Sequence, residues 1–133
     1  MSKLLEKSRF NLVAGEVLIK ESLFAPSVHC SYYSCFQHIK SIFPDFFGIS
    51  YTEIDLTVSS NPWSEHSYLI HYISKQIHDN IGYNEYSVFK RNIGDLKEFR
   101  TKSDYKEIEV TTELSNKALS IAKEINSFLY EQF

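Results

Sequence analysis

A permanent cation, Arg100, lies on the apolar side of a predicted helix. Phe89, Ile93 and Leu96 precede it at helical spacing and share one face. The next position on that face, four residues after Leu96, is Arg100 itself. A guanidinium stays charged in proteins, so it needs a partner or must face a cleft. Asp104 and Tyr105 follow, just after this helix is expected to stop. The sequence therefore predicts a cation, a carboxylate and a phenol together at a helix end.

Positive charge is concentrated around this helix end. The chain has a formal net charge of −3, whereas the stretch from Lys90 to Lys106 holds six basic and three acidic residues, or +3. The charge of the whole chain argues against a generally basic nucleic-acid binder but allows a local basic patch. The stretch is either a solvated helix face or a surface that faces phosphate. In the second interpretation Lys97, Lys102 and Lys106 join Arg100 as binding residues.

Tyrosine and histidine side chains supply the remaining candidates. Tyr32 and Tyr33 either fill a wide apolar helix face or direct one hydroxyl to Arg100, because a buried phenol needs a hydrogen-bond partner. Among five histidines, His66, beside Glu65, is the strongest candidate for acid-base chemistry. No set of histidine, cysteine, aspartate or glutamate residues at ligand spacing stands out in the sequence, so we expect neither a metal nor a cofactor.

Hydrophobic periodicity predicts an all-α protein with one domain over residues 1–133. Apolar seams with alternating spacings of four and three are clearest in the second and the last helix. We expect an antiparallel, up-down bundle of four to five helices. The predicted helices cover about 3–22, 27–43, 61–79, 85–100 and 104 to near the C-terminus. The third would begin at an Asn61 N-cap, and the last at an Asp104 N-cap with Glu107 in a capping box.

The stretch from Pro44 to Trp63 is the one long segment without a helical pattern. Pro44 is expected to end the second helix, and Ile54, Leu56 and Val58 alternate with polar residues as in a half-buried strand. Because a lone strand is unstable, we predict a long, non-helical arm that packs on the bundle. A connection of this length often has a function, such as contact with a partner chain.

Bulk composition is typical of a globular protein. The chain has 133 residues, of which 43% are hydrophobic and 15% aromatic. Its two cysteines, Cys30 and Cys35, would lie about 140° apart on one helix and could not form a disulfide. We expect a cytoplasmic protein without a membrane partner, because nothing resembles a secretory signal or a membrane span.

The order of these motifs resembles the HEPN superfamily, in particular its small prokaryotic branch known as UPF0332. In that branch a YYA helix, an HS helix start and an R..aDY turn follow one another. Their counterparts here are Tyr32-Tyr33, then Glu65-His66-Ser67, then Arg100 with Asp104-Tyr105. The resemblance covers nearly the whole chain except residues 44–60, and it implies a helical bundle.

The resemblance also implies a homodimer in RNA-directed defence or toxin–antitoxin systems, often beside a nucleotidyltransferase partner. Active HEPN ribonucleases carry an arginine, then four to six residues, then a histidine, and they cleave RNA without a metal through the 2′-hydroxyl. Here Arg100 would be the arginine, and the positions open to the histidine are Tyr105, Lys106 and Glu107. The catalytic motif is therefore incomplete.

Three functions follow from these residues. The first is a HEPN-like module that binds RNA, a nucleotide or a protein partner. The second is a metal-independent endoribonuclease in which His66 or Tyr105 substitutes for the missing histidine beside Arg100, although tyrosine is a poor base at neutral pH. The third is a non-catalytic structural or antitoxin-like dimer. A homodimer is also predicted because the chain has more apolar residues than one bundle needs, including Phe46, Phe47, Tyr51 and Trp63.

Overall fold

The computed structural model describes residues 2–133 and confirms the all-α class. Those residues form six α-helices and one π-turn, and they contain no strand. The elements are α1 (Lys3–Lys20), α2 (Phe24–Ile42), the π-turn (Phe43–Phe47), α3 (Tyr51–Ser59), α4 (Glu65–Asn80), α5 (Tyr83–Tyr105) and α6 (Thr112–Gln132). The predicted number of four to five helices was therefore too low, and α3 is the helix that the sequence analysis missed.

Helix α2 is the centre of the fold and packs against α1, α4, α5 and α6. The seam predicted for it is fully buried at Val28, Tyr32, Cys35 and Ile39. The seam predicted for α6 is buried at Ala118, Ile121 and Ile125, whereas its end members Leu114 and Phe128 are half-buried. Burial on this scale is the main source of stability in a helical domain. The helices α1, α4, α5 and α6 are therefore arranged around α2.

The prediction of a non-helical arm from Pro44 to Trp63 was wrong. Ser50 caps α3, and its side chain and that of Glu53 form a capping box that fixes the helix start. Ile54 is fully buried and Val58 is half-buried one turn later, whereas Leu56 is exposed. The residues whose alternation suggested a strand thus form a short helix with a very narrow apolar face.

Proline was a poor guide to the ends of α2. Pro26 lies inside its first turn, and the preceding break falls at Ser22, which has a positive φ of 59°. Pro44 does not end the helical backbone either, because it is the second residue of the π-turn that continues from α2. The π-turn ends at Gly48, whose backbone is in the left-handed region. A missing N–H has little cost in a first turn, where backbone donors lack helical partners.

Two predicted helix starts were also wrong, and one of them shapes the site. Helix α4 begins after Ser64, which caps it, and not at Asn61. Helix α6 begins after Thr111, so Asp104 is not an N-cap. Helix α5 continues past Arg100 through Tyr105. Asp104 therefore lies one helical turn beyond Arg100 on the same helix, where the two side chains can meet.

Candidate functional site

The last turns of α5 bring Arg100 against aromatic rings of α2. Its guanidinium carbon lies 5.0 Å from the ring centre of Tyr32 and 5.7 Å from that of Tyr33. Tyr105, on α5 itself, places its ring 5.6 Å away on the outer side. Of the two arrangements considered for Tyr32 and Tyr33, the structure places both rings against the guanidinium, and the Tyr32 hydroxyl lies 2.7 Å from His66. A cation over ring faces is stabilised, but its N–H donors stay available.

Arg100 has few polar partners for a buried cation. It is 9% exposed, and its Nε has no hydrogen-bond partner. Its Nη1 donates a long hydrogen bond of 3.4 Å to the Tyr105 hydroxyl and lies 3.8 Å from Oδ2 of Asp104. That same carboxylate oxygen lies 2.8 Å from Nδ1 of His29 on α2. Asp104 is thus shared, and most of the donors of Arg100 remain unused.

His66, the second residue of α4, completes the cluster from a third helix. Its Nδ1 lies 2.7 Å from the hydroxyl oxygen of Tyr32, and its ring stacks on Phe36 with centroids 3.9 Å apart. Burial, followed by the positive charges of Arg100 and Lys97, lowers the pKa of His66 to about 4. His66 is therefore neutral at pH 7.

The hydrogen bond between Tyr32 and His66 can run in two directions, with different chemistry. Burial raises the pKa of Tyr32, which keeps its hydroxyl protonated. If that hydroxyl donates to Nδ1, then Nε2 of His66 carries the proton and can donate to a phosphate oxygen. If Nδ1 instead donates to the tyrosine oxygen, Nε2 has a free lone pair and can act as a base. The first tautomer suits binding and the second suits catalysis.

Lys97 adds a second cation beside Arg100, one turn earlier on α5. Its Nζ lies 3.5 Å from Oγ of Ser67, and its pKa is lowered by burial and by the charge of Arg100. Glu65, the nearest acidic residue of α4, forms an ion pair with Lys40. Lys97 has no ion-pair partner within residues 2–133, and Arg100 has only Asp104 at 3.8 Å, which leaves local positive potential.

The structure brings together most, but not all, of the residues singled out by sequence. The cluster contains Tyr32, Tyr33, His66, Lys97, Arg100, Asp104 and Tyr105. Lys102 instead pairs with Glu98 at 2.9 Å on the exposed side of α5, and Lys106 is an exposed residue that follows the helix. Sequence reasoning missed His29, although its position four residues before Tyr33 puts both on one face of α2.

Within residues 2–133, no three side chains of histidine, cysteine, aspartate or glutamate come together in a way that could hold a metal ion. Over the same residues, every helix is too short or too polar to cross a lipid bilayer.

Comparison of the chain with models of protein families, with curated proteins and with solved structures found no match.

Proposed function

We propose that this chain is a HEPN-like module that binds RNA through the phosphate backbone, at the cluster around Arg100. The observation that carries the proposal is the buried guanidinium, which has an unpartnered Nε and a distant, shared carboxylate. A buried cation is expensive unless ions or hydrogen bonds compensate it. The guanidinium fork matches phosphate and carboxylate oxygens, and the positive charge of Lys97 beside it favours the more strongly charged phosphate backbone.

The surroundings of Arg100 support an anionic ligand of this kind. Lys97 supplies a second charge, and neutral His66 offers a donor if Tyr32 holds its Nδ1. The ring of Tyr105 is 73% exposed at the edge of the cluster, where a nucleobase could stack on it. Single-stranded RNA presents a phosphate beside a nucleobase that is free to stack. A cation flanked by an exposed aromatic ring suits both groups.

The motif order described above also favours a HEPN-like module. In this proposal the chain works as a homodimer in a prokaryotic defence or toxin–antitoxin setting, and a nucleotidyltransferase-type protein is the expected partner. A nucleotide or that protein partner would be the ligand if RNA does not bind.

The proposal is tested by fluorescence anisotropy with a labelled oligouridylate of about 12 nucleotides, a length within the usual range for single-strand sites. We expect Arg100→Gln to reduce affinity at least tenfold, because it removes a phosphate-facing charge. Arg91→Gln is the matched control, since Arg91 is exposed on the same helix. Thermal melts of both variants show whether they are folded, and equal RNA affinity of the two folded variants would refute the proposal.

A second candidate, metal-independent cleavage of RNA, is favoured by the position of His66. In the tautomer with a free Nε2, His66 would take the proton of the 2′-hydroxyl. The 2′-oxygen would then attack phosphorus, the P–O5′ bond would break to give a 2′,3′-cyclic phosphate, and the 5′-oxygen would take a proton from water, while His66 would later return its proton to the solvent. Arg100 would stabilise the negative charge that develops on the phosphorane oxygens.

Binding is the first proposal because a histidine with a pKa of about 4 is a weak base at neutral pH. Incubation of labelled RNA with the protein and a chelator distinguishes the two functions. Products that end in a 2′,3′-cyclic phosphate, and that disappear in His66→Gln, would establish cleavage. Intact RNA that remains bound would establish binding alone.

A further inference from the structure

A groove of 430 Å³ runs between α4 and α5 and begins at Lys97 and Ser67, beside the Arg100 cluster. Lys75 of α4 and Lys90 of α5 line it further along, and its lining contains no acidic residue. Within residues 2–133, none of these three lysines has an ion-pair partner. A chain with a net charge of −3 thus carries three lysines without ion-pair partners along one groove, and the carboxylate of Asp79 lies 3.0 Å from Nδ1 of the groove residue His78.

Aromatic rings lie between these charges. At the far end, the rings of His78 and Tyr86 meet edge to face with centroids 5.1 Å apart. Nearer the middle, His71 lines the groove and packs against Trp63 at 5.2 Å. The ammonium group of Lys90 donates a hydrogen bond of 3.0 Å to the hydroxyl of Tyr86 and lies 5.4 Å from the centre of that ring. Alternating cations and ring faces are characteristic of surfaces that bind single-stranded nucleic acid, where phosphates meet the charges and bases stack on the rings.

Gly94 keeps the middle of this groove open. It lies inside α5, where glycine weakens a helix relative to alanine. A Cβ atom built there would meet no atom within 4 Å, so packing does not require a glycine at this position. A helix-interior glycine without a packing reason is instead consistent with close approach of a ligand to the backbone.

We infer that the groove between α4 and α5 is a binding site for single-stranded RNA and that the strand continues from it to Arg100. The choice of RNA rests on the function proposed above. Lys90, Lys97 and Arg100 share one side of α5 over a rise of about 15 Å. That length corresponds to about four stacked nucleotides at about 3.4 Å each. An acidic peptide would use the lysines but would leave the rings without a role.

The test compares two lengths of RNA. Against an oligouridylate of about 12 nucleotides, we expect Lys75→Gln/Lys90→Gln to bind at least tenfold more weakly than the parent. The slope of log affinity against log salt should fall by about 1.4, or about 0.7 for each lost phosphate contact. The dinucleotide UpU should bind parent and variant equally, because it reaches only the Arg100 cluster. The control Lys3→Gln/Lys7→Gln makes the same change of charge on α1, which packs on α2 and α6.

A second variant separates space from charge. Gly94→Leu fills the groove without changing its charge, and leucine is a better helix former than glycine, so the variant should melt no lower than the parent. We expect it also to bind the longer RNA at least tenfold more weakly. Parental affinity in both groove variants, with loss in Arg100→Gln, would refute the groove and leave the proposed function intact. A parent that does not bind RNA would overturn both.

Discussion

The hydroxyl oxygen of Tyr32 lies 2.7 Å from Nδ1 of His66, and the face of the same ring lies 5.0 Å from the guanidinium carbon of Arg100. One buried side chain of α2 therefore orients a residue of α4 and a residue of α5. Because Tyr32 is fully buried in the centre of the fold, its position is fixed by core packing. The relative placement of His66 and Arg100 is thus set before any ligand arrives.

Removal of the Tyr32 hydroxyl should uncouple His66 from this arrangement. Tyr32→Phe keeps the ring beneath Arg100 but deletes the hydrogen bond, so we expect a loss of about 1 kcal/mol in the free energy of unfolding. RNA affinity should fall several-fold, since His66 would no longer be oriented. Tyr33→Phe is the matched control, because the Tyr33 hydroxyl makes no hydrogen bond within residues 2–133. Equal effects of the two variants on RNA binding would contradict this role for Tyr32.

RNA binding should raise the pKa of His66. The free protein keeps this histidine neutral because burial and the charges of Arg100 and Lys97 lower its pKa to about 4. A bound phosphate would favour the imidazolium, so RNA affinity should increase as the pH falls from 7 towards 5. An NMR titration of the His66 ring with and without oligouridylate measures the change. An unchanged pKa would show that the phosphate does not lie near this ring.

The stability of the free protein should decrease in mild acid. In the unfolded chain His66 titrates near its ordinary value of about 6.5, whereas its pKa in the fold is about 4, so the unfolded state binds more protons between these values. The contribution of neutral His66 to the free energy of unfolding is complete above pH 6.5 and is lost as the pH falls towards 4. Burial lowers the pKa of His38 as well, with the same sign. Urea melts of His66→Gln should therefore show a weaker, but not absent, dependence on pH.

Loss of the Asp104 carboxylate should strengthen RNA binding. Asp104 is the acidic group nearest to Arg100, at 3.8 Å, so it competes with a phosphate for that cation. We expect Asp104→Asn to increase RNA affinity by a factor of about three, the effect of removing the competition of one partly screened ion pair worth about 0.7 kcal/mol. Glu98→Gln, which removes an equal charge from the exposed pair with Lys102, is the control. Weaker binding by Asp104→Asn would mean that the carboxylate organises the site instead of competing for it.

The protein should form a homodimer at micromolar concentration. Phe46 and Trp63 are 56% and 48% exposed, and Phe10 and Val13 form a second exposed apolar patch on α1. Patches of this kind in a chain of this size usually become buried in an interface. Sedimentation velocity should show a dimer, and Phe46→Ser and Val13→Ser would show which patch supports it. A monomer for the parent protein would refute the prediction.

The central helices could be predicted from sequence because their seams are continuous. The a/d spacing of α2 and α6 reflects burial on a broad face, and such burial leaves a clear periodic signal. Helix α3 left no such signal, since only Ile54 is fully buried in it. Its capping residues, Ser50 and Glu53, were visible in the sequence and would have identified its start.

The site was only partly predictable, for a different reason. The inward direction of Arg100 followed from the spacing of α5, but the run of that helix to Tyr105 did not, because Asp104 resembled an N-cap. The pairing of Asp104 with His29 joins residues 75 positions apart. That of Tyr32 with His66 joins residues 34 apart. Pairings between distant residues depend on how the helices pack, which a single sequence does not encode locally.

Two walls of the Arg100 cluster are helix ends, the first turn of α4 and the last turn of α5, while the third is the middle of α2. Terminal turns fray at a small fraction of the free energy of global unfolding, because few buried contacts hold them. The core behind Tyr32 would stay folded while a terminal turn frays. Arg100 can therefore be enclosed at rest and still be reached by a strand in solution, through brief opening of the last turn of α5, which carries the exposed Tyr105, while the contacts of His66 with Tyr32 and Phe36 hold the first turn of α4 in place.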